Sequence, residues 1–152
     1  MLKIKRYRVS NANQWDKFVL SSNNGTIFHL KQFLSYHPEE RFIDHSLVVI
    51  RREKIFSVLP AAEKNFKGEK TLVSHPGSSV GSFAVPLNLS LANALALVKK
   101  LKDYAGEQKF KRIIITLPPY PYQNRPSDYM EYAFFSQGFK YKKREVKKGD
   151  RI

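Results

Sequence analysis

The side chains of this 152-residue sequence whose types and spacing could do chemistry are four histidines, two isolated aspartates, a small-residue loop, a proline-bound aromatic stretch and a basic strand. His29, His37, His45 and His75 carry imidazoles, which titrate near neutrality and can take or give a proton. His29 and His37 lie eight apart, about two turns on one helix, too far for a shared metal, and no His-Glu-x-x-His spacing occurs. No metal site is expected. Cysteine is absent, which removes disulfide scaffolds, thiolate zinc sites and cysteine nucleophiles. Asp44 and Asp128 stand alone. Asp128 falls two residues into a helix that Pro126 would begin, where a negative charge is stabilising without any catalysis. Nothing has the order of a Ser-His-Asp triad or the spacing of paired carboxylates. Gly77-Ser-Ser-Val-Gly-Ser82 has the small residues and hydroxyls to hold an anion, but it follows a strand and reads as well as a plain connection. Tyr120 and Tyr122, among Pro118, Pro119 and Pro121, form a stiff shelf that could stack a sugar, peptide or base, or cap a core. Lys140, Lys142, Lys143 and Arg144 interleave with Tyr141 as in an RNA-contacting strand, without an accompanying RNA-binding motif.

The elements that must position these groups follow from periodicity. Residues 2–9 alternate as a short edge strand tolerant of Lys and Arg. Trp15, Phe18 and Val19 at i, i+3, i+4 predict an amphipathic helix after the capping candidates Ser10–Asn13. Ser21–Gly25 turns the chain, and a second helix is predicted from Thr26 to His37, stopped by Pro38. A β-meander follows: Ser46–Ile50, a charged turn at 51–54, Ile55–Ala62, a turn at Asn65–Gly68, Thr71–Ser74, with Ser82–Val85 extended. Ser90 reads as an N-cap for a helix with Leu91, Ala94, Leu95, Val98, Leu101 and Ala105 on one face and Gly106 as its C′ residue. Arg112–Leu117 is a near-continuous apolar run, as in an interior strand covered on both faces. Tyr129, Tyr132, Ala133 and Phe135 continue a helix to Gln137, stopped by Gly138, and Phe139–Val146 alternates weakly as a last strand. Helices interleaved with an antiparallel meander define an α+β fold with helices on both faces of a mixed, mainly antiparallel sheet.

The length suits one domain. The composition, 42% hydrophobic and 13% aromatic, can support a core and is far from that of a disordered chain. No apolar run approaches a membrane span and the basic start lacks a signal peptide's apolar stretch, so a cytoplasmic protein is expected. The net charge is +14. Residues 1–8 hold Lys3, Lys5, Arg6 and Arg8 with no acid, and residues 140–152 hold seven basic against two acidic residues. A polyanionic partner and plain solubility charge on the termini both account for this.

The order of elements resembles the GCN5-related N-acetyltransferase (GNAT) fold. The local sequence is similar to the FemAB-type transferases within it. Asn24-Gly-Thr-Ile-Phe-His29 with Phe33 and Tyr36-His37 resembles their early-helix signature, and Phe42-Ile-Asp-His-Ser-Leu47 the entry to the first meander strand. Leu59-Pro-Ala-Ala62, Leu72-Val-Ser-His-Pro-Gly77 and Gly81 resemble the next strands and loop. Pro119-Tyr-Pro-Tyr122, Pro126, Tyr132-Ala-Phe-Phe135 and Lys143-Arg-Glu-Val146 resemble the loop, helix and closing strand of the family's first half. The resemblance implies a GNAT-like three-layer domain over residues 1–146 with a basic tail at 147–152. It implies an acyl or aminoacyl transferase acting on an amine of a cell-wall or glycan precursor, with aminoacyl-tRNA or acyl-CoA as donor. Family members usually carry two GNAT-like halves. An incomplete half is therefore expected, completed by a second GNAT-like domain or a homo-oligomer, with tRNA as a possible partner.

On this reading His29, Tyr36, His75, Ser78 and Tyr122 line the cleft in binding and orienting roles, and no catalytic base is named. For His29 and His75 taken by themselves, a structural hydrogen-bonding role is the favoured reading. An acetyl-CoA enzyme of this fold draws backbone N–H groups from a Gly-rich loop opening the long helix. Val85-Pro-Leu-Asn-Leu-Ser90 has no glycine, which speaks against ordinary acetyl-CoA binding. Two alternatives stay open: a non-catalytic basic module that binds RNA or another polyanion through Lys140, Lys142, Lys143 and Arg144, and a stand-alone acetyl-CoA-dependent N-acetyltransferase.

Overall fold

The computed structural model describes residues 2–25, 29–30, 43–74, 82–117 and 128–140. The chain opens with the short strand β1 (Lys3–Arg6), a 3-10 turn (Val9–Asn11) and helix α1 (Ala12–Ser21). The meander follows as β2 (Ile43–Asp44), β3 (Leu47–Arg51), β4 (Lys54–Leu59), β5 (Ala61–Phe66) and β6 (Glu69–Ser74). Helix α2 (Leu91–Glu107), strand β7 (Arg112–Ile114) and helix α3 (Tyr129–Ser136) complete it. Most of the helix predicted over 26–37, the Pro118–Tyr122 shelf and most of the closing strand fall outside the described residues.

The predicted single strand Ile55–Ala62 is two. Pro60 has no N–H to give a ladder, and it divides β4, in a three-stranded sheet ordered β1-β3-β4, from β5, in a four-stranded sheet ordered β2-β5-β6-β7. The facing strand breaks at His45-Ser46, between β2 and β3. Polar groups span this seam. His45 N–H donates to the Ala61 carbonyl at 2.9 Å, and the Ser46 hydroxyl oxygen accepts from Ala61 N–H at 3.2 Å. Among the described residues all pairings are antiparallel except β6 with β7, where Thr71, Leu72 and Val73 face Arg112, Ile113 and Ile114. Only a crossover can join parallel neighbours, and α2 is that crossover.

Period-2 alternation sends the strands' side chains to two layers. Leu47 and Val49 of β3 enter the larger core, with Leu59, Leu72, Phe83, Leu97, Leu101 and Phe134. Val48, between them, enters the opposite one with Trp15, Val19, Val58 and Ala84. Helix α1 therefore covers one face while α2 and α3 cover the other, which is the three-layer α+β arrangement expected. Among the described residues no helix is long and apolar enough to cross a membrane.

Ser90 caps α2 as predicted, its hydroxyl accepting from Asn93 N–H at 3.1 Å. The stop differs. Gly106 lies inside the helix, and the left-handed residue beyond its end is Lys109 (φ 65°). The buried face of α2 includes Leu97, while Leu91 is partly exposed. Gly138, at φ 94°, does follow α3. That helix turns Ala133 and Phe134 inward and exposes Tyr129, Tyr132 and Phe135. Asp128 is its N-cap residue, not an interior one, and makes no side-chain capping bond. Strand β7 has only β6 as neighbour among the described residues, and Ile113 and Ile114 are half-buried, so the described chain does not enclose it as an interior strand.

Candidate functional site

The parallel pair β6/β7 ends in a side-chain rung. Its ladder runs to Val73 opposite Ile114, and then Thr116 N–H donates to the Ser74 hydroxyl at 3.1 Å. A side chain thus replaces the main-chain carbonyl at the last rung. Ligands of open α/β sheets bind beyond the carboxyl ends of parallel strands, and here that end lies at Ser74 and Thr116. His75 and Ser78 follow the first strand end and Tyr122 the second; with Tyr36 they lie outside the described residues.

His29 is described and is fully buried. Its Nε2 is 2.9 Å from the Ser82 carbonyl oxygen, so that nitrogen carries the hydrogen and donates it. Its own carbonyl accepts from Trp15 Nε1–H at 2.6 Å. Burial lowers its pKa to about 4, with the Ser82 bond pulling the other way, so the ring is neutral at physiological pH. Next to it, the Asn24 side chain acts as a strand rung. Its amide nitrogen donates to the Phe83 carbonyl at 2.8 Å, and its oxygen accepts from Val85 N–H at 2.8 Å. Asn23 N–H adds a bond to the Val85 carbonyl at 2.7 Å. Gly25 is needed for close approach, since a Cβ there would meet the Ser22 hydroxyl and lie 2.7 Å from the Val19 carbonyl oxygen. The Asn-Gly…His pattern therefore clamps the end of α1 onto segment 82–85, which carries the chain from the strand-end loop towards α2.

A second polar cluster had no signal in the sequence. His45, 1% exposed, holds Glu63 Oε2 at Nδ1 (2.7 Å) and the Tyr104 hydroxyl at Nε2 (2.6 Å). Burial chiefly lowers the His45 pKa, against its bond to Glu63, and burial chiefly raises that of Tyr104. With the ring neutral, Tyr104 donates its O–H to Nε2, and Nδ1–H donates to the Glu63 carboxylate. Arg6 lies 3.8 Å from the same Glu63 oxygen. The three residues stand 18 and 59 positions apart, so only the tertiary fold could reveal them. The cluster ties the β2/β5 edge to the last turns of α2. Among the described residues no group of three or more His, Asp or Glu could hold a metal.

This architecture, with a parallel strand pair joined by a long helix beside an antiparallel meander, is the GNAT fold. It matches a ribosomal-protein-alanine N-acetyltransferase from Brucella melitensis biovar Abortus 2308 with a TM-score of 0.63, 12% identity and 95% of each chain covered. It matches an aminoglycoside acetyltransferase from an uncultured soil metagenomic sample with a TM-score of 0.60, 12% identity and 97% of each chain covered. A transcriptional regulator from Bacillus halodurans C-125 is similar with a TM-score of 0.60, 15% identity, and 97% and 98% of the two chains covered. No family model matches the sequence and no curated protein matches it.

The fold family implies coenzyme A, whose diphosphate needs free backbone N–H groups at the start of α2. Here Asn93 N–H is held by the Ser90 hydroxyl and Ala94 N–H by the Ser90 carbonyl. Pro86 has no N–H, and Leu89 N–H closes a turn onto the Pro86 carbonyl at 3.3 Å. No glycine occurs from 82 to 105. The described residues at this helix start therefore lack a glycine-lined cradle, and two of its N–H groups are already held.

Proposed function

We propose that this domain is an N-acyltransferase, passing an activated acyl or aminoacyl group to an amine of a cell-wall or glycan precursor. The observation that carries the reading is the GNAT fold itself, with its parallel pair β6/β7 ending at Ser74 and Thr116. In the reaction the amine nitrogen attacks the acyl carbonyl carbon, a C–N bond forms, and the bond to the donor's leaving oxygen breaks. The leaving oxygen gains a proton as the amine loses one. The described residues supply the scaffold for this step: the His29–Ser82 and Asn24–Val85 bonds hold segment 82–85 against α1, and the Thr116–Ser74 bond ties the ends of the parallel strands. The self-capped start of α2 favours a donor that brings no diphosphate there, as in an aminoacyl ester of tRNA. The FemAB-type resemblance of residues 15–146 favours the cell-wall acceptor.

The test is acyl transfer from charged tRNA to an amine-bearing glycan precursor, run beside acetyl-CoA with a panel of small amines. Product formation only with the tRNA ester is expected. Turnover with acetyl-CoA instead would establish the second reading, a stand-alone acetyltransferase, which the end-to-end likeness to the two acetyltransferases supports. If neither donor is used but tRNA binds tightly at low salt, the domain is the basic binding module, a reading supported by the +14 charge. Of that module's residues Lys140 is described, and Lys142, Lys143 and Arg144 are not.

A further inference from the structure

We propose a second site, for a compact phosphate-bearing anion, in the cleft between the β3–β4 turn and α2. The cleft holds about 480 Å³ and is lined by Leu2, Arg51, Arg52, Asn93, Ala96 and Lys100, a size within the range of small-molecule sites. Three of the six lining residues are cationic and none is acidic. None of the three is in an ion pair among the described residues; by contrast Lys99, next to Lys100, is paired with Asp103 at 3.6 Å. Arg51 is held in place, with its guanidinium 4.5 Å over the Phe56 ring. Glu53 follows Arg52 in the turn but does not line the cleft.

The three cationic side chains line one depression without an acidic residue among its lining, so an anion there meets charge of one sign. Guanidinium groups bind phosphate oxygens in bidentate fashion, and Lys adds a point charge. The Asn93 amide offers a neutral donor, and Leu2 and Ala96 give an apolar wall for the rest of the ligand. Convergence from a turn and a helix onto one depression fits a compact phosphate better than an extended strip. The cleft shares no lining residue with the β6/β7 strand ends, and it stands whether or not the acyl-transfer reading does.

The test titrates the full chain with inorganic pyrophosphate at about 0.05 M salt, where phosphate contacts are strongest. The expected result is saturable binding that weakens at least about tenfold in the double variant Arg52→Glu/Lys100→Glu. The charge-matched control Lys17→Glu/Lys64→Glu, at exposed positions, should bind like the native chain. Arg51 is left intact because it packs on Phe56, and circular dichroism verifies folding of both variants. A short single-stranded RNA, titrated with and without pyrophosphate, separates the sources of phosphate. Mutual competition assigns the site to a nucleic-acid backbone; RNA binding untouched by pyrophosphate, or none, assigns it to a small phosphate ester. No binding of pyrophosphate, or equal weakening in the two double variants, overturns the proposal.

Discussion

His29 makes the stability of this domain sensitive to acid. Its pKa in the folded chain is about 4, against about 6.5 when exposed in the unfolded chain. Between these values the unfolded state binds the extra proton, so stability rises with pH from 4 to 6.5 and is lost on acidification through that window. The full difference is about 3 kcal/mol. Burial lowers the His45 pKa too, and its contribution has the same sign. Chemical denaturation at a series of pH values should show the slope, and His29→Gln should flatten it; an unchanged slope would refute the assignment. Asn24→Ala should cost about 2–4 kcal/mol, because it leaves a buried N–H and a buried carbonyl without their partner. Gly25→Ala should cost about 1–3 kcal/mol through the contact with the Val19 carbonyl. Urea midpoints of the two variants check both figures.

At the scale of elements, α2 carries the most legible instructions and one local conflict. Ser90→Ala removes the bond to Asn93 N–H and should lower stability by about 1 kcal/mol. Lys109 sits at φ 65°, a conformation that costs an L-residue about 1 kcal/mol or more. Lys109→Gly should therefore raise the thermal midpoint, and a fall would show that its side chain contributes more than its backbone costs. The cap was readable because it needs only a serine three residues before its target. The helix end was not, because Gly106 is a good terminator by type while packing of Ala105 and Phe110 carries the helix past it. The exposure of the α3 aromatics was not readable for a similar reason: the spacing of Tyr129, Tyr132 and Phe135 shows that they share a face, and nothing local says which side meets the core.

For the whole molecule, the two core layers share β3 and β4, so neither can be lost alone. The single tryptophan, Trp15, is fully buried in the α1 layer, whereas most helical signal comes from α2 in the other. Unfolding followed by tryptophan emission and by far-ultraviolet circular dichroism should give one midpoint; two midpoints would show that the layers separate. The sequence by itself determined the three-layer α+β class, the meander, the crossover helix and the Asn24-Gly25 and His29 pattern, because hydrophobic period, caps and turns act over a few residues. It did not show that Asn24 and His29 spend their polar atoms on segment 82–85, that Pro60 hands the chain from one sheet to the other, or that His45 meets Glu63 and Tyr104. Nor did it show the gathering of Arg51, Arg52 and Lys100 in one cleft. Those contacts join residues far apart in the chain, and only burial of both layers at once selects them.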